Sequence, residues 1–286
     1  MKKILVPVDF SSNSRNALNV AAQIAQKTNA QLELLHVNLA AIYSAPFSEY
    51  ASAGGFVRED GQYDETATSE LEKVKLELLS RPGFDKLNIS IRVDDGYLHS
   101  SIRNVVTEDD VDLVVMGTKG ASGVSEFLVG SNTEKVIRTA PCPVLAVPEQ
   151  VETFDPKMVL MPSTLKNDQA SAFRTLAAWE KHYGFHVKVL YLNNPSGVAT
   201  DGSAEALKNR FAEAAGLKKT DVIITSGTLF EDNAILVAAD MCNAGLIVMA
   251  THQRQGLSHW LFGSITEDTV NHSHVPVLAI PVGWRA

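Results

Sequence analysis

The sequence predicts two similar α/β domains in tandem, each an open parallel sheet of five strands with helices on both faces. Three observations carry this. Short apolar runs alternate with longer amphipathic segments, the pattern of strands joined by helices. The alternation is repeated across the chain. Each half also closes on nearly the same phrase, Cys142-Pro143-Val144-Leu145-Ala146-Val147-Pro148 and Val275-Pro276-Val277-Leu278-Ala279-Ile280-Pro281.

In the first half Lys3–Val8 reads as a strand, and Ser11 or Ser12 as the N-cap of the helix after it. Ala17, Val20, Ala21, Ile24 and Ala25 recur at helical spacing in that helix. Met158–Met161 and a helix with Ala172, Leu176, Ala177 and Trp179 on its apolar side repeat the unit. Leu32–Val37 and Val187–Leu192 are β-rich runs. Ile89–Val93 and Val222–Thr225 lead to Gly96 and Gly227, each followed by a helix. Leu113–Met116 and Leu246–Met249 are apolar enough for burial on both faces. The polar segment Pro148–Pro156 marks the boundary, giving domains 1–150 and 151–286. Residues 40–66, rich in Ala, Ser, Gly and acids, are expected to form a long loop, and 194–204 a shorter one. Each suits either a lid or a disordered segment.

The 286 residues are 45% hydrophobic and 20% charged, enough for a core in each half, and the formal net charge is -8. An acidic chain lacks the basic footprint of a nucleic-acid binder. The opening apolar run is cut by Pro7 and Asp9, too soon for a signal peptide. No run approaches the roughly 20 residues that span a bilayer. A cytoplasmic location without membrane contact is expected. The two cysteines, Cys142 and Cys242, form no CxxC pair, so no disulfide or cysteine zinc site is expected. Cys142 reads as buried packing.

The segment richest in chemistry is Met116–Thr133, MGTKGASGVSEFLVGSNT. It follows a buried strand and leads to a helix starting near Ser131, with Val136 and Ile137 on its apolar face. Glycines let backbone approach a ligand closely, and amides in such a loop and at a helix N-terminus point at an anion. Ser131 and Thr133 add hydroxyls, and Lys119 a positive charge. The loop lies outside the carboxyl ends of the strands, where open α/β sheets bind ligands. Asp9 ends the first strand on the same edge, where a carboxylate accepts from an exocyclic amine or from ribose hydroxyls. Plainer readings stand beside these: a glycine-rich surface loop with a capped helix, and a helix-initiating turn at Asp9.

These residues resemble the universal stress protein family: Val6-Pro7-Val8-Asp9, Met116-Gly117-Thr118-Lys119-Gly120, Gly130-Ser131-Asn132-Thr133, and Pro141-Cys142-Pro143-Val144-Leu145. The spacing of Gly117, Gly120, Gly130 and Ser131 matches the G-x2-G-x9-G-[S/T] pattern of its ATP-binding members. The resemblance spans nearly the whole chain in two copies and implies a Rossmann-like fold of the adenine-nucleotide-binding type, holding ATP with or without magnesium. It implies that Asp9 and the backbone around Val37 hold the adenine, with ribose contacts near Gly117 and phosphate contacts at Gly120, Gly130, Ser131, Asn132 and Thr133. Pro7, Val8, Met116 and Lys119 complete the expected binding set.

The second copy departs from the pattern. Ala250 stands for Gly117, Gln253 for Gly120 and Thr164 for Asp9, while Gly263-Ser264 is kept, followed by Thr266. One nucleotide, in the first domain, is therefore expected, with at most a lone anion in the second. No Walker P-loop, GxGxxG after a strand or HExxH occurs. His252, His259, His272 and His274 cluster too loosely for a convincing metal set, and any metal is left unknown. No nucleophile or general base is assigned, so a regulatory nucleotide-binding protein is expected. A slow ATP hydrolase or phosphotransferase and a non-binding scaffold are the alternatives. Val144–Val147 and Val277–Ile280 should lie at sheet edges, which invite pairing. The resemblance implies that they pair antiparallel, making a pseudo-dimer within the chain. Association of two chains into a homodimer stays open.

Overall fold

The computed structural model describes residues 1–38, 62–118, 130–165, 169–191, 201–224, 234–251 and 260–285. The first half contains β1 (Lys3–Pro7), α1 (Ser12–Thr28), β2 (Gln31–Asn38), α2 (Gln62–Leu79), β3 (Ile89–Asp95), α3 (Leu98–Glu108), β4 (Leu113–Gly117), α4 (Ser131–Thr139) and β5 (Val144–Val147). The second contains β6 (Met158–Ser163), α5 (Ala170–Tyr183), β7 (His186–Tyr191), α6 (Asp201–Ala215), β8 (Thr220–Ile224), α7 (Ala234–Met241), β9 (Leu246–Thr251), α8 (Trp260–His272) and β10 (Val277–Pro281). Leu192, Thr225 and Gly227 lie outside the described residues.

The strands form one sheet in the order β3-β2-β1-β4-β5-β10-β9-β6-β7-β8. Pairing is parallel within each half and antiparallel between β5 and β10, with Leu145 opposite Leu278. Chain order reverses between β1 and β4, and again between β6 and β9. These are the switch points at which crevices open on the carboxyl edge of such sheets.

Alternate strand residues face opposite sides, and two core layers result. Val6, Leu34, Val115 and Leu145 pack with α1 and α2, continuous with Val159, Phe173 and Leu278. Leu5, Leu35, Val114 and Met116 pack with α3 and α4, continuous with Ile247 and Ala279. Each layer passes through the β5–β10 seam.

Ser11 caps α1 by accepting from the Ser14 amide at 3.2 Å. Two loop expectations need correction. Residues 62–66 belong to α2, whose buried Ala67, Leu71, Val74 and Leu78 recur at four, three and four residues. Residues 201–204 likewise open α6, which buries Ala204, Phe211 and Ala212. In both places an apolar helical stripe begins inside a segment whose composition reads as loop. Residues 40–61 and 194–200 lie outside the described residues.

The segment between the halves is fastened to α1. Asn16 donates to the carbonyls of Pro148 and Glu149, and Asn19 and Gln23 donate to that of Glu152. Phe154 packs edge-on against Trp179 and Tyr183, and the Lys27 ammonium lies 4.4 Å from the Tyr183 ring centre. Among the described residues no helix is long and apolar enough to cross a membrane.

Candidate functional site

At the carboxyl edge of the first half, Pro7 and Val8 are buried, so they offer a ligand backbone rather than side chains. Asp9 is exposed. Its Oδ1 accepts from the Ser11 amide at 3.1 Å and from the Ser11 hydroxyl at 2.5 Å, so the carboxylate also builds the turn into α1. The next residue, Phe10, has φ 64°, unusual for a bulky side chain. Its ring lies 4.7 Å from that of His36. The His36 Nδ1 is 2.7 Å from the Val8 carbonyl, which only accepts, so Nδ1 carries the proton. His36 thus buttresses the Asp9 turn from β2, beside the half-buried Val37.

Met116 is 5% exposed and points into the core. Gly117 lies under the first turn of α1. A Cβ there would fall 3.0 Å from the Asn13 carbonyl oxygen, a close approach that only glycine makes without displacement. Lys119 and Gly120 lie outside the described residues.

Gly130 is the N-cap of α4, and its amide donates to the Thr118 carbonyl at 2.8 Å. Ser131 and Asn132 are exposed. As the first residues of a helix their amides have no acceptor within it, and they sit at its positive end. Thr133 differs. It is 3% exposed, and its hydroxyl donates to the Gly117 carbonyl at 2.8 Å. That proton is committed to tying α4 onto the end of β4, so Thr133 acts by placing Ser131 and Asn132. The edge therefore offers acceptors on the β1 side and donors on the α4 side. Such a set fits a ligand with amine or hydroxyl groups at one end and phosphates at the other.

Sequence reasoning missed Asn13 and His36. Asn13 Oδ1 is buried without a hydrogen-bond partner among the described residues. Its position four residues after Asp9, in the first turn of α1, was the only signal. His36 follows a run of apolar residues and carried none.

The second copy is built differently. Register aligns Ile4 with Val159 and Leu113 with Leu246, so Asp9 corresponds to Thr164 and Gly117 to Ala250. Leu165 repeats the positive φ of Phe10, at 54°. The Oε1 of Gln169, a residue 2% exposed, accepts from the Ser163 hydroxyl at 2.5 Å and the Thr164 amide at 3.1 Å. The turn's donors are thus satisfied from within. α8 starts at Trp260, so Gly263 and Ser264 lie inside the helix, whereas Gly130 precedes α4. Gln253, His252 and His259 lie outside the described residues.

Of the loose histidine cluster, His272 and His274 lie among the described residues. The His272 Nδ1–H donates to the Asp268 carbonyl, and His274 Nδ1 lies 3.4 Å from the Gln150 amide nitrogen. Among the described residues no three His, Cys, Asp or Glu side chains converge. Cys142 is buried, and burial pushes its thiol up to about 12, leaving little thiolate at neutral pH.

The fold and this edge define a doubly wound α/β protein with an anion-ready helix at a topological switch point. The model of the universal stress protein family matches residues 1–148 and again 159–281. The chain belongs to that family, with two copies of its domain in tandem. It is 30% identical over 149 residues to the universal stress protein YxiE of Bacillus subtilis, covering 51% of this chain and 97% of that one. A universal stress protein of Methanocaldococcus jannaschii is 31% identical over 146 residues, covering 51% and 81%. A crystal structure of a universal stress protein from Archaeoglobus fulgidus superposes with a TM-score of 0.74 over 98% of both chains, at 19% identity, a likeness of fold.

Proposed function

We propose that this chain is a stress-response protein whose first domain, residues 1–150, binds one ATP, while the second, residues 151–286, binds none in that manner. The observation that carries the reading is the Thr133–Gly117 bond. It sets the N-terminus of α4 at the end of β4, across the β1/β4 switch point from Asp9. Phosphates meet the amides of Ser131 and Asn132, beside Gly130, whose own amide is held by the Thr118 carbonyl, and Asp9 and the backbone near Val37 take the base. Lys119 and Gly120 belong to the same phosphate loop by their place in the motif. Among the described residues of this edge none is assigned as a general base, which favours regulatory binding over catalysis, and a cytoplasmic location is part of the same proposal.

The second part of the proposal is that the β5–β10 pair makes the chain a pseudo-dimer in solution. Leu145→Lys, which places a charge in that buried seam, broadens the distribution of interdomain distances in small-angle scattering. A variant as compact as the parent rejects it.

Mass spectrometry of the denatured protein and calorimetric titration with ATP test the first part. Co-purified ATP and a stoichiometry near one support it. Two equal sites per chain, or no binding at millimolar ATP, reject it, and ADP alone with metal-dependent turnover replaces it with a hydrolase.

A further inference from the structure

Among the described residues nothing pairs with the side-chain oxygen of Asn13, in the first turn of α1. This Oδ1 is buried. A buried amide oxygen left unpaired is costly, and each such atom in a folded protein calls for an explanation. The side chain does not stand here by accident of packing elsewhere. Its Cβ lies 3.3 Å from where a Cβ on Gly117 would be, and its carbonyl oxygen 3.0 Å from the same point. Asn13 therefore rests on the end of β4, on the side of the sheet that carries α1.

The same glycine is the anchor of α4, through the Thr133 hydroxyl on its carbonyl. Asn13 and the helix start assigned to phosphate are thus both neighbours of Gly117. Asp9, four residues earlier, is the first acceptor on the β1 side. In a nucleoside triphosphate the group attached to the phosphates is the ribose, and the base lies beyond it. The part of such a ligand that reaches Asn13 first is the sugar. An amide oxygen only accepts, whereas phosphate oxygens at neutral pH offer few protons and ribose hydroxyls are ready donors.

We infer that Asn13 Oδ1 accepts a hydrogen bond from a ribose hydroxyl, making it the residue by which this site distinguishes a ribonucleotide from a deoxynucleotide. The inference rests on the nucleotide reading above. It adds a determinant of sugar specificity outside the glycine motif. Gly117, having no Cβ, leaves the room that Asn13 occupies.

Calorimetric titration of the full chain with ATP, 2′-deoxyATP and 3′-deoxyATP tests it. The parent protein binds ATP about 3- to 10-fold tighter than at least one deoxy analogue, the usual value of one hydrogen bond. In Asn13→Ala the affinity for ATP falls to that of the analogue, while the affinity for the analogue stays the same. That constancy separates sugar recognition from a general loosening of α1, which weakens all three ligands together. Asn13→Asp keeps the acceptor and keeps the preference. Equal binding of all three nucleotides by the parent, or an undiminished preference in Asn13→Ala, overturns the inference while leaving ATP binding intact. Failure of the parent to bind any of the three removes the nucleotide reading itself.

Discussion

The carboxyl edges of the two halves start from the same strand order and end as different surfaces. In the first half α4 begins at Ser131, one residue after Gly130, and its start is tied to Gly117 by Thr133. In the second, α8 begins three residues before Gly263. Measured from the shared glycine, the helix is four residues longer at its N-terminus. At 1.5 Å per residue that moves the positive end by about 6 Å. The turn after the first strand differs in the same sense. Asp9 keeps an exposed carboxylate, whereas Gln169 folds its amide under Thr164 and satisfies that turn internally. A duplicated domain can thus keep its core and its glycine-serine pair while one copy leaves polar groups exposed at this edge and the other pairs them within the turn.

The largest expected effect that sharpens this contrast comes from Gly130→Val, which fills the space phosphates need at the start of α4. Calorimetry should find no ATP binding, whereas Gly263→Val leaves affinity and stoichiometry at the parent values. Equal effects from the two would break the comparison.

Gly117→Ala comes next. The added methyl meets the Asn13 backbone at 3.0 Å, a contact with main chain that cannot rotate away. Overpacking of this kind costs about 1–3 kcal/mol, read as a lowered denaturant midpoint. ATP affinity should fall with it, because the displaced turn carries Asp9. Ala250→Gly, the reverse change, should create no second site.

Gln169→Ala leaves the Ser163 hydroxyl and the Thr164 amide without their acceptor. The expected loss is about 1–3 kcal/mol of stability with ATP affinity unchanged. Weakened ATP binding would show that the second turn is not confined to its own copy.

The smallest effect concerns the pair that joins the two helices. Arg138 of α4 makes a two-pronged contact with Glu267 of α8 and also reaches Glu134 at 2.6 Å. Register of the shared glycines places Glu267 opposite Glu134, and Asn271 opposite Arg138. One cation therefore serves two carboxylates. Arg138 is about one-third exposed, at 31%. Its removal should cost about 1 kcal/mol or less, shrinking further in high salt. Thermal melts of Arg138→Ala at low and high salt check this, and a loss insensitive to salt would assign the contact to packing.

Much of the fold was legible because its signals are local. The strands are apolar runs between turn residues, and α1 and α5 show their stripes within one window. α2 was obscured: its stripe of Ala67, Leu71, Val74 and Leu78 follows a polar, glycine-containing stretch that dominates the composition. In the candidate site the spacing of Gly117, Gly130 and Ser131 marked the segment that ends β4 and opens α4. The family resemblance placed Thr133 among the ligand contacts, although its hydroxyl donates inward to the Gly117 carbonyl.

By itself the sequence determined the duplication, the alternation of strands and helices, and the asymmetry of the motif between the copies. Each of these is written in residue type and in spacings of a few positions. Only the tertiary structure decided that Gly117 lies beneath Asn13, more than a hundred residues away. It also decided that Gln169 closes the second turn and that Leu145 meets Leu278 across the seam. The physical reason is that hydrophobic period and turn chemistry act along the chain. The direction of a hydroxyl or an amide is settled only when the sheet has closed and every buried donor has taken the acceptor that packing leaves within reach.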